Sequence, residues 1–369
     1  MKNTGIITMI GENFGNRLQN YALQEVIKKM QINVETIYNY VYEIPESKNS
    51  VFTIPKRVFL KLKNTFYEKK YKKVNQLKLE LFNRFNNDYI KFSKERIVDS
   101  NFNFKDLISK FDNLIVGSDQ VWNPYAYRNK NIDFLEFSPI EKNISYAVSF
   151  GTSYIPQQYS NIYINGINNI KYLSVREERG KEIIEELTGR KDVEVLVDPT
   201  MLLNAEEWDK VSKKPEQLNT DKYILNYFLG DLSEERRKEI ERIAKENNCE
   251  IINIMDKNDP LYVSGPSEFL WLEKHAFLIC TDSFHSSVFA LLYNRPFIVF
   301  DREQEGIENM NSRIDTLINK FNLKNRRFTG KITDENLNHD YTEAYEILEK
   351  EREKSRKFLE KALDIENKE

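Results

Sequence analysis

LICTDSFHSSVFALLYNRPFIVF, residues 278–300, runs from an apolar stretch through a polar turn into a second apolar stretch, and a third follows Arg295-Pro296. Read as strand, loop, helix, strand, it predicts a βαβ unit with a buried first strand. The turn Thr281-Asp282-Ser283-Phe284-His285-Ser286-Ser287 then stands at the carboxyl end of that strand, the edge where open α/β sheets bind ligands. One imidazole among hydroxyls there suits proton transfer to an anionic substrate. The competing reading is a capped helix start with a solvated histidine.

Strand followed by polar loop recurs on both sides of this unit. Residues 5–10 form an apolar run, then come Gly11 to Asn16 and apolar residues at helical spacing, Leu18, Tyr21, Ala22, Val26 and Ile27. Gly11 and Gly15 either admit a ligand to the amino end of that helix or simply form the turn; their spacing is not GxGxxG. Further strands are predicted at 34–40, 114–116, 142–152, 172–177, 193–200, 223–229 and 251–255, with helices at 177–187, 234–247 (capped by Ser233) and 266–276. Residues 45–100 read as a charged, aromatic-rich helical insertion covering the first domain, with Leu77, Leu81, Phe85 and Tyr89 inward. Polar residues from Trp208 to Asp221 read as the connection between domains. A final amphipathic helix, 341–367, turns Tyr345, Leu348, Phe358, Leu359 and Leu363 inward. The alternation predicts an α/β protein with parallel sheets, in two domains facing a cleft: residues 1–205, with the insertion at about 45–100, and 220–335, followed by the C-terminal helix 340–369.

With 369 residues, two domains are expected on length alone. A net charge of -3 argues against general nucleic-acid affinity, so any anion recognition is local. Cys249 and Cys280 make no disulfide framework, and His275, His285 and His339 have no zinc-site spacing. No segment has the length of an export signal or a membrane span, and a cytoplasmic protein is expected. The basic, aromatic stretch 56–73 reads either as a surface touching anionic lipid headgroups or as a solvated helix face.

Arg17, Arg176 and Arg313 stand at strand ends or helix starts, where a planar guanidinium matches a carboxylate or phosphate. Asn311 or Ser312 would cap the helix that carries Arg313. A GxSxG elbow, Walker and kinase motifs and magnesium-site carboxylate spacing are all missing. One histidine, several arginines and several Ser, Asn, Asp and Gln groups suit acid catalysis and anion holding without a metal.

Seven stretches in order, NFGNRLQNYALQ (13–24), IVGSDQVWN (115–123), SYAVSFG (145–151), LSVREERG (173–180), VLVDPTMLL (195–203), TDSFHSSVFALLYNRPFIVF (281–300) and NMNSRIDTL (309–317), resemble the polysaccharide pyruvyl transferase family. The resemblance implies two Rossmann-like domains in a GT-B-like arrangement, with the last helix packing back on the first domain. It implies transfer of pyruvate from phosphoenolpyruvate, a co-substrate, to two hydroxyls of a sugar as a cyclic ketal, with no other cofactor. The acceptor would belong to a cell-surface polysaccharide or its precursor, lipid-linked or not.

By motif, His285 matches the family histidine and Arg176 the arginine of Ser-Val-Arg-Glu; the roles expected from this are His285 as general acid or phosphate hydrogen-bond donor, and Asp119 as a base for an acceptor hydroxyl or a cap for the next turn. Arg176 and Arg313 are anion clamps, joined on the donor side by Ser283, Ser286 and Ser312; Asn16, Arg17, Asn20, Ser118 and Gln120 would contact the acceptor. Many family members present Arg-Leu-His where this chain has Ser283-Phe284-His285. The expectation is that Arg313 supplies the missing cation, or that the donor is less charged. Two rival readings are a GT-B glycosyltransferase using a nucleotide sugar and a noncatalytic sugar-binding component of an assembly system.

Overall fold

A computed structural model describes residues 2–39, 54–98, 102–126, 128, 130–303 and 312–365; side chains are described from residue 70 onward in the helix that begins at residue 54. Two parallel sheets carry the fold. The first has the order β3-β2-β1-β4-β5, built from β1 (Asn3–Ile7), β2 (Asn33–Asn39), β3 (Phe92–Ile97), β4 (Asn113–Val116) and β5 (Asn143–Ser145). Parallel bridges Ile144–Tyr172 and Val148–Val175 extend it to β6 (Leu173–Val175) and β7 (Val193–Val195). The second has the order β11-β10-β8-β9, from β8 (Tyr223–Tyr227), β9 (Glu250–Asn253), β10 (Leu278–Thr281) and β11 (Phe297–Val299). Helices alternate with these strands, giving two Rossmann-like domains across a cleft.

Strand order fixes where the cleft opens. In the first sheet the order reverses between β1 and β4, and in the second between β8 and β10. The loops leaving adjacent strands diverge at each reversal and leave a crevice at the carboxyl edge. Both crevices line one cavity, described below.

Residues 54–98 depart from the expected insertion. Helix Ile54–Tyr89 is the crossover between β2 and the parallel edge strand β3, whose register pairs Thr36 with Phe92 and Asn39 with Ile97. A parallel pair needs such a crossover, so β3 belongs to the sheet rather than to a cover. The inward stripe is partly displaced: of the expected residues Phe85 is buried, Leu81 and Tyr89 are half-buried and Leu77 is 39% exposed, whereas Tyr71, Lys78, Phe82 and Asn86 are also buried. The helix packs on two partners at once. Phe82 stacks on Phe14 and Phe85 meets Tyr21 edge-on in the first domain, while Tyr71 and Asn75 hydrogen-bond Asn258 and Tyr262 in the second. The basic stretch 56–73 lies largely outside the described side chains.

An apolar core continuous between the sheets holds the domains together. Phe14 stacks on Phe269 at 4.5 Å, and both rings meet Tyr227 edge-on. Trp208, expected in a polar connection, is fully buried, where its ring packs tilted against Tyr21 and edge-on against Phe289 and its indole donates to the carbonyl of Thr200. Helix Thr342–Ala362 starts against the second domain, where Tyr345 donates to Leu291 O, and ends on the first, where Arg352 donates to Met201 O and Leu203 O. Phe358 there faces Tyr146. Among the described residues no helix is long and apolar enough to cross a membrane.

Candidate active site

Between the two strand-order reversals lies a cavity of about 280 Å³. The first domain contributes Met9, Asn13 and Asn16 after β1 and Asp119, Gln120 and Ala126 after β4; the second contributes Leu229, Ser283, Phe284, His285, Arg302 and Arg313.

His285 lies in the first turn of helix Phe284–Leu292, whose cap residue Ser283 makes no side-chain capping bond. Its ring rests on Gly15 across the domain boundary: a Cβ there would stand 2.1 Å from Nδ1. Gly15 therefore serves domain contact, bringing the amino end of helix Phe14–Lys29 under the imidazole. On the far side, His285 Nε2 stands 3.7 Å from Asp198 Oδ2 and has no hydrogen-bond partner.

Asp198 anchors a buried charged cluster. Its Oδ1 accepts from the Thr200 amide and hydroxyl, and its Oδ2 from Arg176 at 2.5 Å and the Ser118 hydroxyl at 3.1 Å. Burial raises the Asp198 pKa, but the neighbouring His285 imidazole and the Arg176 charge outweigh it and hold the carboxyl far below its ordinary range. Arg176 also reaches Asp119 at 3.4 Å and lies over the Phe284 ring, 4.4 Å from its centroid. Burial alone would lower its pKa, yet Asp198 and Asp119 raise it.

Asp119 has φ 68, left-handed backbone that aspartate tolerates better than most side chains. Its carboxylate accepts from the Gln120 amide and from Asn16 Nδ2. Burial pushes its pKa up, but Arg176, His285 and Arg313 together bring it below the ordinary value, which weakens it as a base near neutral pH. Gln19 ties these loops together, accepting from the Ser118 amide and donating to Thr8 Oγ1.

Arg313, at the start of helix Ser312–Lys320, differs from Arg176. Among the described residues no carboxylate is within ion-pair distance of it, and its Nε has no partner. The Gln120 amide, with its oxygen turned toward the guanidinium, accepts at 2.8 and 2.9 Å. Burial first, then the neighbouring Arg176, lowers its pKa to about 10. Arg302 completes the cationic wall: Nε donates to Asp282 Oδ2 at 3.1 Å, and Asp282 also accepts from the Leu229 and Gly230 amides.

The expected site residues thus divide. His285, Asp119, Arg313, Ser283, Asn16 and Gln120 line the cavity. Arg176 and Ser118 lie behind it in the Asp198 cluster. Three others are not among its lining residues. Ser286 donates to Glu273, whose carboxyl is pushed well above its ordinary value by burial; Asn20 accepts from Thr36 inside the first domain; Arg17 donates to the Ile10 carbonyl. Ser312 faces a separate cavity with Asp315, Thr316 and Glu178. On a helix, neighbouring residues diverge by about 100°, so a motif that delivers His285 turns Ser286 away. Sequence reasoning missed Asp198 and Arg302. Both follow strand ends, Asp198 in VDPT and Arg302 in FIVFDR, the signal used for the other residues.

Among the described residues no group of three or more His, Cys, Asp or Glu side chains is placed to hold a metal ion. His275 stacks on Trp271 and His339 contacts Asn294, both away from the cavity.

The model of the polysaccharide pyruvyl transferase family matches residues 13–304. The chain belongs to that family. Within this pyruvyl transferase family member, the match takes in Asp119, Asp198, His285 and Arg302. No curated protein matches the sequence. Among solved structures, UDP-GlcNAc 2-epimerase from Neisseria meningitidis, bound to UDP-GlcNAc, is similar with TM-score 0.50 and 11% identity, over 98% of this chain and 99% of that one. UDP-GlcNAc 2-epimerase from Methanocaldococcus jannaschii gives TM-score 0.47 and 13% identity, over 95% and 92%. MurG from Acinetobacter baumannii gives 0.42 and 10%, over 99% and 100%. The Neisseria similarity is one of fold, the GT-B type.

Proposed function

We propose that this pyruvyl transferase family member moves pyruvate from phosphoenolpyruvate onto two hydroxyls of a sugar in a cell-surface polysaccharide or its precursor. The proposal rests on Arg313, a buried guanidinium facing the cavity with no carboxylate partner among the described residues. A buried cation without a counter-ion is costly unless a ligand supplies one, and a small, multiply anionic donor does so.

In this reading His285 protonates the donor methylene, with Asp198 stabilising the charged ring from behind. The donor's central carbon bonds to an acceptor oxygen, its bond to the phosphate oxygen breaks, and the second hydroxyl closes the ketal. Of the two hydroxyl protons released, one restores His285 and the other leaves with phosphate. Arg313 and Arg302 hold the anionic groups, as preorganised cations do where charge develops. Asp119 orients Arg176 and Asn16 instead of acting as base.

Phosphate release from phosphoenolpyruvate over a panel of sugar acceptors, with thermal shift against UDP- and GDP-sugars, tests this. Arg313→Ala is expected to weaken phosphoenolpyruvate binding by about two orders of magnitude. Unchanged affinity rejects the clamp. A wild-type shift with a nucleotide sugar and none with phosphoenolpyruvate transfers the site to glycosyl transfer.

A further inference from the structure

We infer that Tyr125 and Tyr154 form a stacking platform for the acceptor glycan at the first-domain rim of the cavity. This rests on the proposed pyruvyl transfer for the need of a sugar acceptor, and on separate geometry for its place. Large apolar side chains scattered singly on a surface carry no message, whereas an apolar cluster beside a polar site marks binding. Tyr125 and Tyr154 are 55% and 41% exposed, the two aromatic residues among the exposed large apolar side chains of the described residues. They are joined: the Tyr125 hydroxyl donates to that of Tyr154 at 2.8 Å.

Their loops are fastened to the cavity wall. Tyr125 precedes Ala126, which lines the cavity, and its amide donates to Asn123 Oδ1. Asn123 Nδ2 lies 2.7 Å from the other end of the Gln120 side-chain amide, whose oxygen faces Arg313. The second loop packs on the same pair: Gly151 has φ +61, and a Cβ there would lie 2.2 Å from the Gln120 side-chain amide and 2.9 Å from Asn123 Nδ2. Three residues on comes Tyr154, its loop held by Arg179, which donates to the Ser153 carbonyl at 2.6 Å. Both loops are therefore fastened, through Asn123 and Gln120, to the wall that faces Arg313.

A sugar fits this surface better than a second anion. Aromatic faces bind the apolar C–H faces of a pyranose while ring hydroxyls meet polar atoms at the edge. Arg17, Asn20 and Ser118, expected to meet the acceptor, are engaged inside the first domain. Asn16 and Gln120 remain at the cavity, and the tyrosines extend that polar edge outward, which suits a chain of sugars whose terminal residue enters the cavity.

A glycan array carrying neutral and acidic oligosaccharides, probed with the full-length wild type and with Tyr125→Ala/Tyr154→Ala, tests the platform without turnover. The wild type is expected to bind a subset of glycans that the double variant binds at least about tenfold more weakly. Tyr125→Phe/Tyr154→Phe, which keeps both faces, should bind within about threefold of wild type. Phosphoenolpyruvate should shift the melting temperature of all three equally. Equal glycan binding by wild type and the alanine variant overturns the platform, as does a wild type that binds no glycan on the array. Absence of a phosphoenolpyruvate shift in the wild type fails the donor reading separately.

Discussion

Gly15→Ala tests the junction between the domains with one methyl group. The added Cβ would lie 2.1 Å from His285 Nδ1, 2.4 Å from Cε1 and 2.5 Å from Cγ, where ordinary contact begins at 3.4 Å. The ring must therefore retreat by about 1.3 Å (3.4 minus 2.1). It cannot do so freely, since Asp198 stands 3.7 Å behind Nε2 and the Phe284 ring flanks it at 5.3 Å. Displacing a reacting group by about 1 Å costs on the order of 100-fold in rate. Overpacking costs about 1–3 kcal/mol, and replacing a helical glycine by alanine returns up to about 1 kcal/mol. Turnover should thus fall further than stability. The assay is phosphate release from phosphoenolpyruvate at saturating acceptor, with urea denaturation on the same samples. In a His285→Ala background, itself expected to be slower by about two to four orders of magnitude, Gly15→Ala should cost nothing more. Wild-type turnover in Gly15→Ala, or an equal further loss in the His285→Ala background, would refute the packing argument.

Two further outcomes follow from the buried charges. Asp198→Asn leaves Arg176 with its weaker carboxylate partner alone and should cost about 3–5 kcal/mol of stability, read by urea denaturation; because the Asp198 pKa is depressed, this stabilisation is full above the ordinary carboxylate range and fades only as pH falls toward the folded value. A wild-type denaturation midpoint at pH 7 would count against the cluster. Lys78, buried over the Phe14 and Tyr262 rings, has its pKa lowered to about 8, chiefly by burial. The unfolded chain then binds more protons between about pH 8 and the ordinary lysine value of 10.5, so stability rises with pH across that window. Lys78→Met should flatten the rise in a denaturation series, and an unchanged slope would assign it to other groups.

The alternation of apolar runs and polar loops made both sheets legible, since parallel strands buried on two faces read as continuous apolar stretches. Strand β3 was not legible: FSKERI carries three charges, as an edge strand can, and it follows a helix long enough to resemble an insertion. The phase of that helix was legible at Phe85 but not at Leu77, for a related reason. Leu77, Leu81, Phe85 and Tyr89 form an acceptable stripe, but the helix touches both domains, and Lys78 lies inward over two aromatic rings.

What the sequence determined by itself was the class of fold, the edge of each sheet that carries chemistry, and the presence there of His285, Asp119 and Arg313. His285 and Asp119 follow from local order, because a residue just past a buried strand must lie at its carboxyl end, and Arg313 from its place at a helix start. What the tertiary structure alone decided was the division of labour among these groups. Arg176 and Arg313 are both arginines at helix or strand ends, yet one is bound by two carboxylates and the other faces the cavity. Gly15 and His285 are 270 residues apart and touch because the domains share a core. Charge compensation and packing depend on which distant segments meet across the cleft, and no local pattern encodes that.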